Sequence, residues 1–390
     1  MKRVVVYNVV AVLVLLFTLE FATRTISWVT GKGFTLSLHE LDPTDPGITR
    51  IYKWHPFLGF TFKPNIELIG SHPNQKSKAK VFVDKHGFLS EDNTLDFVKL
   101  KNEIRIATIG GSTTANLALT YDENWPGYLG NLIQASCPEK KIRIINAGTP
   151  GFNTAQSIVN LALRVMPFKP DVVIIYHAYN DLKAIRPGPF KPDYSHIYTK
   201  PYGYRKPLNP LMKVLHNSMF YVRTRNKIRE LKSAKQLAES AGKEKRLSYI
   251  PKEAMAAFEN NIHTLVAIAK SGGASVILCS FATLYDPHME WSSPNKVLAN
   301  LSDLQKRDLK GLYHFTPGLT IPAIFDGLNK YNEILDEIAS KEKVGWLDSA
   351  NLVPHEDRYF LDRVHFSKAG AKRMAESIAP VVEKTLNCNN

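Results

Sequence analysis

The stretch "IATIGGSTTANL", Ile106 to Leu117, decides how the chain is read. Its opening residues are apolar enough for a strand buried on both faces, and Gly110-Gly111 lets the backbone turn sharply into a helix. That turn leaves Ser112 exposed at the carboxyl end of the strand. The plainer reading of the same residues is a strand-to-loop transition in which the serine caps a helix. The surrounding sequence has to decide between them.

Outward from Ile104 the apolar runs "IRIATI", "IRIIN", "DVVIIY" and "ASVILCS" recur, followed by the shorter "VGWLD". Helical patterns lie between them near 125–136, 154–166, 252–270 and 325–341, with a last one over 368–386. Alternating strand and helix predicts right-handed crossovers, hence an α/β fold of three layers, α/β/α, around a central parallel sheet. In such sheets ligands bind beyond the carboxyl ends of the strands. Those ends carry Ser112 and Thr113 after the first strand, Gly148 and Gly151 in "NAGTPGFNT" after the second, and Asn180 and Asp181 in "HAYNDL" after the third. Residues 29–100 are mixed and proline-punctuated, with a strand and turn in "KVFVDKHGFLS". They read as an extension packed on a main domain spanning 101–390.

At 390 residues and 44% hydrophobic content the chain can bury a sizeable core, which excludes disorder as its default state. Residues 1–28 place Lys2 and Arg3 ahead of a mostly apolar run from Val4 to Phe21, the pattern of a membrane anchor or a signal peptide. Glu20 and Phe21 sit where a cleavage site would want small residues, which favours an uncleaved anchor with the main domain outside the cytoplasm. Three scattered cysteines, Cys137, Cys279 and Cys388, show no metal or disulfide spacing and read as packing residues. The net charge of +14 lies almost wholly between Leu182 and Ile250, where sixteen Lys/Arg face four Asp/Glu. No zinc-finger spacing, RNA-binding aromatic signature or zipper accompanies it, so nucleic acid is not expected as a partner.

A serine hydroxyl attacks a carbonyl only when a base takes its proton and a third group orients that base. Among twelve histidines, His365 stands out because "YFLDRVHFSKAG" places Asp362 three residues before it, just ahead of the last helix. The alternative is a solvated Asp362 in a turn, with His365 opening the helix. A tetrahedral intermediate also needs donors for its oxyanion. The N–H groups of Ser112 and Gly151 and the side-chain amide of Asn180 supply three, with Gly151 expected to be glycine so that its amide can approach substrate closely. A plain turn at Gly151 and an Asx-turn or cap at Asn180 remain open. His177, Tyr179 and Asp181 join Thr113 as pocket candidates, His177 and Asp181 with a structural role as the stronger alternative. No metal-ligand spacing is visible, and the chemistry calls for no cofactor.

Taken in order, Gly-Gly-Ser112-Thr, Gly151 in "NAGTPG", Asn180 in "AYND" and the Asp362 to His365 pair resemble the SGNH hydrolases, or GDSL esterase/lipase superfamily. The resemblance spans about 104–386 and implies a three-layer, flavodoxin-like sheet fold. It implies Ser112 as nucleophile, His365 as base, Asp362 as its orienting partner, and Ser112, Gly151 and Asn180 as the oxyanion hole. Gly111 departs from the family's usual aspartate before the serine and is similar to a membrane-anchored bacterial branch, which places the domain at the inner membrane facing the periplasm. Tyr179 stands near Asn180 where a glycine is usual, so it is expected to crowd or line the pocket.

The basic insertion at 182–250 is far longer than a normal connection and is expected to form a lid or wall, or to meet anionic headgroups. A solvated basic face is the plainer alternative. A helix is expected over 225–240. The functional expectation is a membrane-tethered serine esterase acting on acyl esters, acetyl among them, of a lipid or a cell-envelope carbohydrate. An O-acyltransferase, or O-acetyltransferase, acting on an envelope polysaccharide shares its first half-reaction. A noncatalytic glycan- or lipid-binding envelope protein is the alternative of another class.

Overall fold

A computed structural model describes residues 2–31, 33–35, 51–75, 77–197, 210, 215, 217–240, 246–286, 288–289 and 299–387. The chain divides into two compact units, one of Met1–Arg50 with Arg205–Glu244, the other of Ile51–Tyr204 with Lys245–Asn390.

In the second unit ten strands form a hairpin and a sheet. The hairpin pairs β1 (Tyr52–His55) with β2 (Gly59–Phe62). The sheet contains β3 (Ile66–Gly70), β4 (Ala79–Val83), β5 (Leu89–Ser90), β6 (Glu103–Gly110), β7 (Lys141–Asn146), β8 (Val172–Tyr176), β9 (Ser275–Cys279) and β10 (Gly345–Leu347). Their order is β10-β9-β8-β6-β7-β5-β4-β3. The five strands expected from the apolar runs are parallel, with Ile106 of β6 opposite Ile144 of β7 and Val172 of β8. Every residue of β8 is buried, as a strand covered on both faces requires.

The sheet is mixed, not wholly parallel as expected. The strand and turn expected in "KVFVDKHGFLS" are β4 and the turn at Gly87, and together with β5 and β3 they join the sheet antiparallel at the β7 edge instead of forming a separate extension. β3 and β4 are short and alternate in burial, so the sequence does not mark them as members of the buried sheet.

Helices start where their caps dictate. Asn124 accepts the N–H of Gly127 ahead of Trp125–Ser136, and Asn153 with Gln156 forms a capping box ahead of Thr154–Asn160. Ser367 caps Lys368–Leu386, which has the expected bounds. The expected helix over 154–166 continues past Asn160 as a π turn, Leu161–Val165. A helix over Asp303–Phe315 was not foreseen, although its start is written in the sequence as the capping box of Ser302 and Gln305.

Among the described residues of the first unit one helix, Lys2–Val29, is long and apolar enough to cross a membrane. Its most apolar 18-residue window has mean hydropathy 2.4. The side chains of Val4 to Phe17 stand exposed, whereas the polar end is engaged. The Glu20 carboxylate accepts the Ser218 hydroxyl at 2.6 Å and the N–H groups of Met219 and Phe220 at 2.9 and 3.0 Å. It thus caps the helix Met219–Ser240, which begins six residues before the expected start at 225. Arg24 holds Glu20 at 2.6 Å and donates to the Asn217 carbonyl at 2.9 Å.

Cys279 is free and buried. Cys137 is buried in the core, as expected of a packing residue, and is also disulfide-bonded, which its spacing does not signal. Cys388 lies outside the described residues.

Because β4 buries Val81 and Val83, and the turn to β5 packs the buried Phe88 on Phe168, a chain begun at 101 uncovers the surface beneath these residues and the β7 edge. It is expected to be insoluble or to melt at much lower temperature than a chain begun at 51, which keeps β3 to β5. Solubility and circular-dichroism melts of the two truncations check this.

Candidate active site

β6 lies inside the sheet between the parallel strands β7 and β8, and its last residue, Gly110, leads into a four-residue helical turn, Ser112–Ala115. A Cβ on Gly110 would lie 2.0 Å from the Thr114 hydroxyl, so the turn closes only with glycine there. Two long-range bonds pin it. Trp125 Nε1 donates to the Thr113 carbonyl at 3.2 Å, and the Asn116 amide donates to the Phe366 carbonyl at 3.2 Å.

The segment after β10 returns to this turn before the last helix. There His365 Nε2 lies 2.8 Å from Ser112 Oγ, and His365 Nδ1 lies 2.7 Å from Asp362 Oδ2. The other oxygen, Oδ1, accepts the N–H groups of Val364 and His365 at 2.9 and 2.8 Å. Burial pushes the Asp362 carboxyl up, but neighbouring His365, hydrogen bonds from His365 and His72, and nearby Arg363 hold it well below the usual carboxylate range. Asp362 is therefore an anion, and it orients His365 with Nδ1 as donor and Nε2 facing Ser112.

The segment is clamped from outside. Arg363 donates to Asp308 through its backbone N–H at 2.8 Å and through Nη1 at 2.9 Å, and its Nε donates to the Tyr179 hydroxyl at 2.9 Å. Its guanidinium lies 4.1 Å from the Phe315 ring centroid.

Gly151 has a left-handed backbone, φ +83°, and nothing stands within 4 Å of where its Cβ would be. The left-handed backbone gives glycine a conformational reason there, beside the expected close approach of substrate. The Asn180 amide donates one N–H to the Phe152 carbonyl at 2.8 Å, which leaves its second N–H available. A Cβ on Gly111 would sit 2.4 Å from that amide nitrogen. Glycine before the serine thus makes room for Asn180. A recess of about 230 Å³, partly open to solvent, is lined by Gly111, Ser112, Thr113, Tyr179, Asn180 and Phe281 among others.

Two pocket candidates point elsewhere. His177, although it borders the recess, bonds Ser157 Oγ at 2.8 Å, and burial lowers its pKa to about 3, so its ring is neutral. The Asp181 carboxylate is fully buried and accepts from Thr154 N–H and hydroxyl and from the Tyr194 hydroxyl. It ties the end of β8 to the start of the helix Thr154–Asn160.

Sequence reasoning missed His72, whose Nε2 lies 3.1 Å from Asp362 Oδ2, because it stands 290 residues away in the extension. Asp308, Asn116 and Trp125 were missed for the same want of a local signal. His72, Asp362 and His365 bring three potential metal-ligand atoms within 4.8 Å of one another, but the hydrogen bonds through Asp362 already account for that grouping.

A family model described as GDSL-like lipase/acylhydrolase matches residues 108–373. No curated protein matches the chain. Among solved structures, an acetylxylan esterase, Axe2, from Geobacillus stearothermophilus aligns at 14% identity over 73% of this chain and 96% of its own, with a TM-score of 0.41. A GDSL-like lipase from Bacteroides thetaiotaomicron aligns at 15% identity over 73% of this chain and 91% of its own, with a TM-score of 0.39.

Burial pushes the Asp181 carboxyl up to about 6 from 3.8, so the fold favours its protonated form. That contribution is complete below pH 3.8 and is lost as pH rises through about 6. Relative to wild type, Asp181→Asn should therefore gain on the order of 3 kcal/mol of stability between acid and neutral pH. Denaturant melts of both proteins at the two ends of that window check the sign.

Proposed function

The chain belongs to the GDSL-like lipase/acylhydrolase family, and we propose that it is a membrane-tethered esterase cleaving short acyl esters, acetyl foremost, of an envelope carbohydrate or lipid. The observation that carries the reading is the unbroken chain from Ser112 through His365 to Asp362, at 2.8 and 2.7 Å.

In this mechanism His365 Nε2 takes the Ser112 proton as Oγ attacks the ester carbonyl. The N–H groups of Ser112 and Gly151, with the free N–H of Asn180, receive the negative charge that develops on the carbonyl oxygen. Collapse breaks the ester C–O bond, and His365 passes its proton to the departing alcohol. Water then attacks the acyl-enzyme, with His365 again as base, and releases the acid. Asp362 stays ionised throughout and stabilises the imidazolium.

A short acyl group is favoured by the aromatic side chains that line the recess beside Ser112. Tyr179, tied by Arg363, and Phe281 bound it, so a long acyl chain meets fixed aromatic walls.

Three observations support a tether outside the cytoplasm. The helix Lys2–Val29 has the length and composition of a span. Glu20 within it caps the helix Met219–Ser240, so cleavage after Thr25 or Ser27 would remove a structural partner of the mature chain. The disulfide at Cys137 belongs to an oxidising compartment. The basic residues of 182–250 would then lie against anionic headgroups.

Ser112→Ala should abolish turnover, and Asp362→Asn should lower kcat about 10⁴-fold by reversing the His365 tautomer. Gly111→Ala should lower kcat by about 10²-fold by displacing the Asn180 amide. A panel of esters of rising acyl length, assayed with wild type and these variants, tests the reading. A rate that falls steeply beyond the shortest chains supports it, and turnover surviving in Ser112→Ala overturns it. Release of free acid with a glycan acceptor present keeps the hydrolase assignment, whereas acylated sugar replaces it with a transferase.

A further inference from the structure

The segment that expectation placed as a mere extension reaches the Ser112 site. β3 ends at Gly70, where a Cβ would stand 1.6 Å from the Leu117 carbonyl oxygen, so the strand runs directly against the chain following the Ser112 turn. Two residues later His72 Nε2 meets Asp362 Oδ2 at 3.1 Å. The opposite ring nitrogen, Nδ1, accepts the Asn74 N–H at 3.2 Å. That bond requires a bare Nδ1, so Nε2 carries the proton and donates to Asp362. The Asn74 side chain donates to the Leu361 carbonyl at 2.6 Å and fixes the loop to the residue preceding Asp362.

Asp362 thereby has four donors, two backbone N–H groups on Oδ1 and two imidazole N–H groups on Oδ2. The two rings approach Oδ2 separately, with centroids 6.3 Å apart and planes inclined by 50°. We propose that His72 is a positioning residue of the hydrolytic site: its N–H holds Oδ2 of Asp362 on the Nδ1–H of His365 and withdraws charge from that oxygen. The inference rests on the roles given above to Ser112 and His365.

Withdrawing charge from Oδ2 makes Asp362 a weaker base. The carboxylate then favours the imidazolium less strongly, which leaves the neutral ring free to take the Ser112 proton. Without His72 the more electron-rich Oδ2 favours the imidazolium, so the acid limb of the rate profile moves to higher pH. Among the described residues, the other charged and titratable groups that act on Asp362 include Arg363 and, through it, Asp308 and Tyr179, with Tyr285 nearby. All of these remain in a His72 variant, so a shift of the limb is attributable to His72 itself.

The full-length protein is compared with His72→Ala, His72→Gln and Ser112→Ala, measuring kcat and KM on a short acyl ester across the acid limb together with thermal melts. Loss of the contact that holds Oδ2 in place misplaces His365 and predicts a fall in kcat of about 10- to 100-fold for His72→Ala, with KM nearly unchanged and the acid limb at higher pH. In His72→Gln an amide N–H replaces Nε2–H, and both rate and limb should return most of the way to wild type. A His72→Ala protein as fast as wild type with an unmoved limb, while Ser112→Ala is inactive, overturns this inference alone. Equal losses in the Ala and Gln variants with unmoved limbs and lowered melting temperatures also overturn it, assigning His72 to folding only. Turnover that survives Ser112→Ala overturns the reading of the site and this inference with it.

Discussion

The hydrogen bond from Ser112 to His365 joins residues 253 positions apart, and much of the second unit is arranged to keep it at 2.8 Å. Neither side chain can hold the other by itself, since ordering each costs rotamer freedom that a single contact does not recover. The sheet supplies the rigid reference. β6, paired on both sides by parallel neighbours, delivers Ser112 at its end, and the tight passage at Gly110 fixes the direction of the turn. The partner loop is fixed by charge. Arg363 is gripped by Asp308 and Tyr179, so the two residues flanking it in function, Asp362 and His365, inherit its position. The Asn116 amide, bonded to the Phe366 carbonyl, closes the remaining gap between the two pieces.

What the sequence discloses follows from how local each signal is. The five parallel strands are continuous apolar runs, and burial on both faces is a property that a run of side chains states directly. Ser112, Asp362 and His365 were legible because the chemistry asks for those residue types and because Asp362 and His365 are three residues apart. In the extension the strand and turn of "KVFVDKHGFLS" were legible, but their membership of the main sheet was not. β3 and β4 alternate in burial over five residues each, and nothing in "SHPNQ" tells that His72 meets a carboxylate 290 residues later. Asp308 lies on a helix whose capping box was present but unread, and its value comes wholly from meeting Arg363. Gly151 and Gly111 each have a reason that the sequence does not state: Gly151 holds a left-handed φ, and Gly111 yields room to the Asn180 amide.

The first unit has its own logic. A carboxylate late in an otherwise apolar helix reads from sequence as an obstacle to cleavage; in the fold it is the cap of a second helix, with Arg24 beside it. This gives the polar end of the helix Lys2–Val29 a structural partner while Val4 to Phe17 stay exposed, the division expected where a span leaves the hydrocarbon. The basic surplus of 205–244 shares that unit rather than the unit that contains Ser112.

The central claim is that Ser112, with its proton taken by His365, becomes covalently acylated. Rapid quenching of the protein with a short acyl ester, followed by mass analysis of its peptides, tests this most directly. The account predicts one acyl group on the peptide bearing Ser112, formed in a burst and absent in His365→Ala. An acyl group on any other side chain, or turnover of the ester with none trapped on Ser112 at any time, would contradict it.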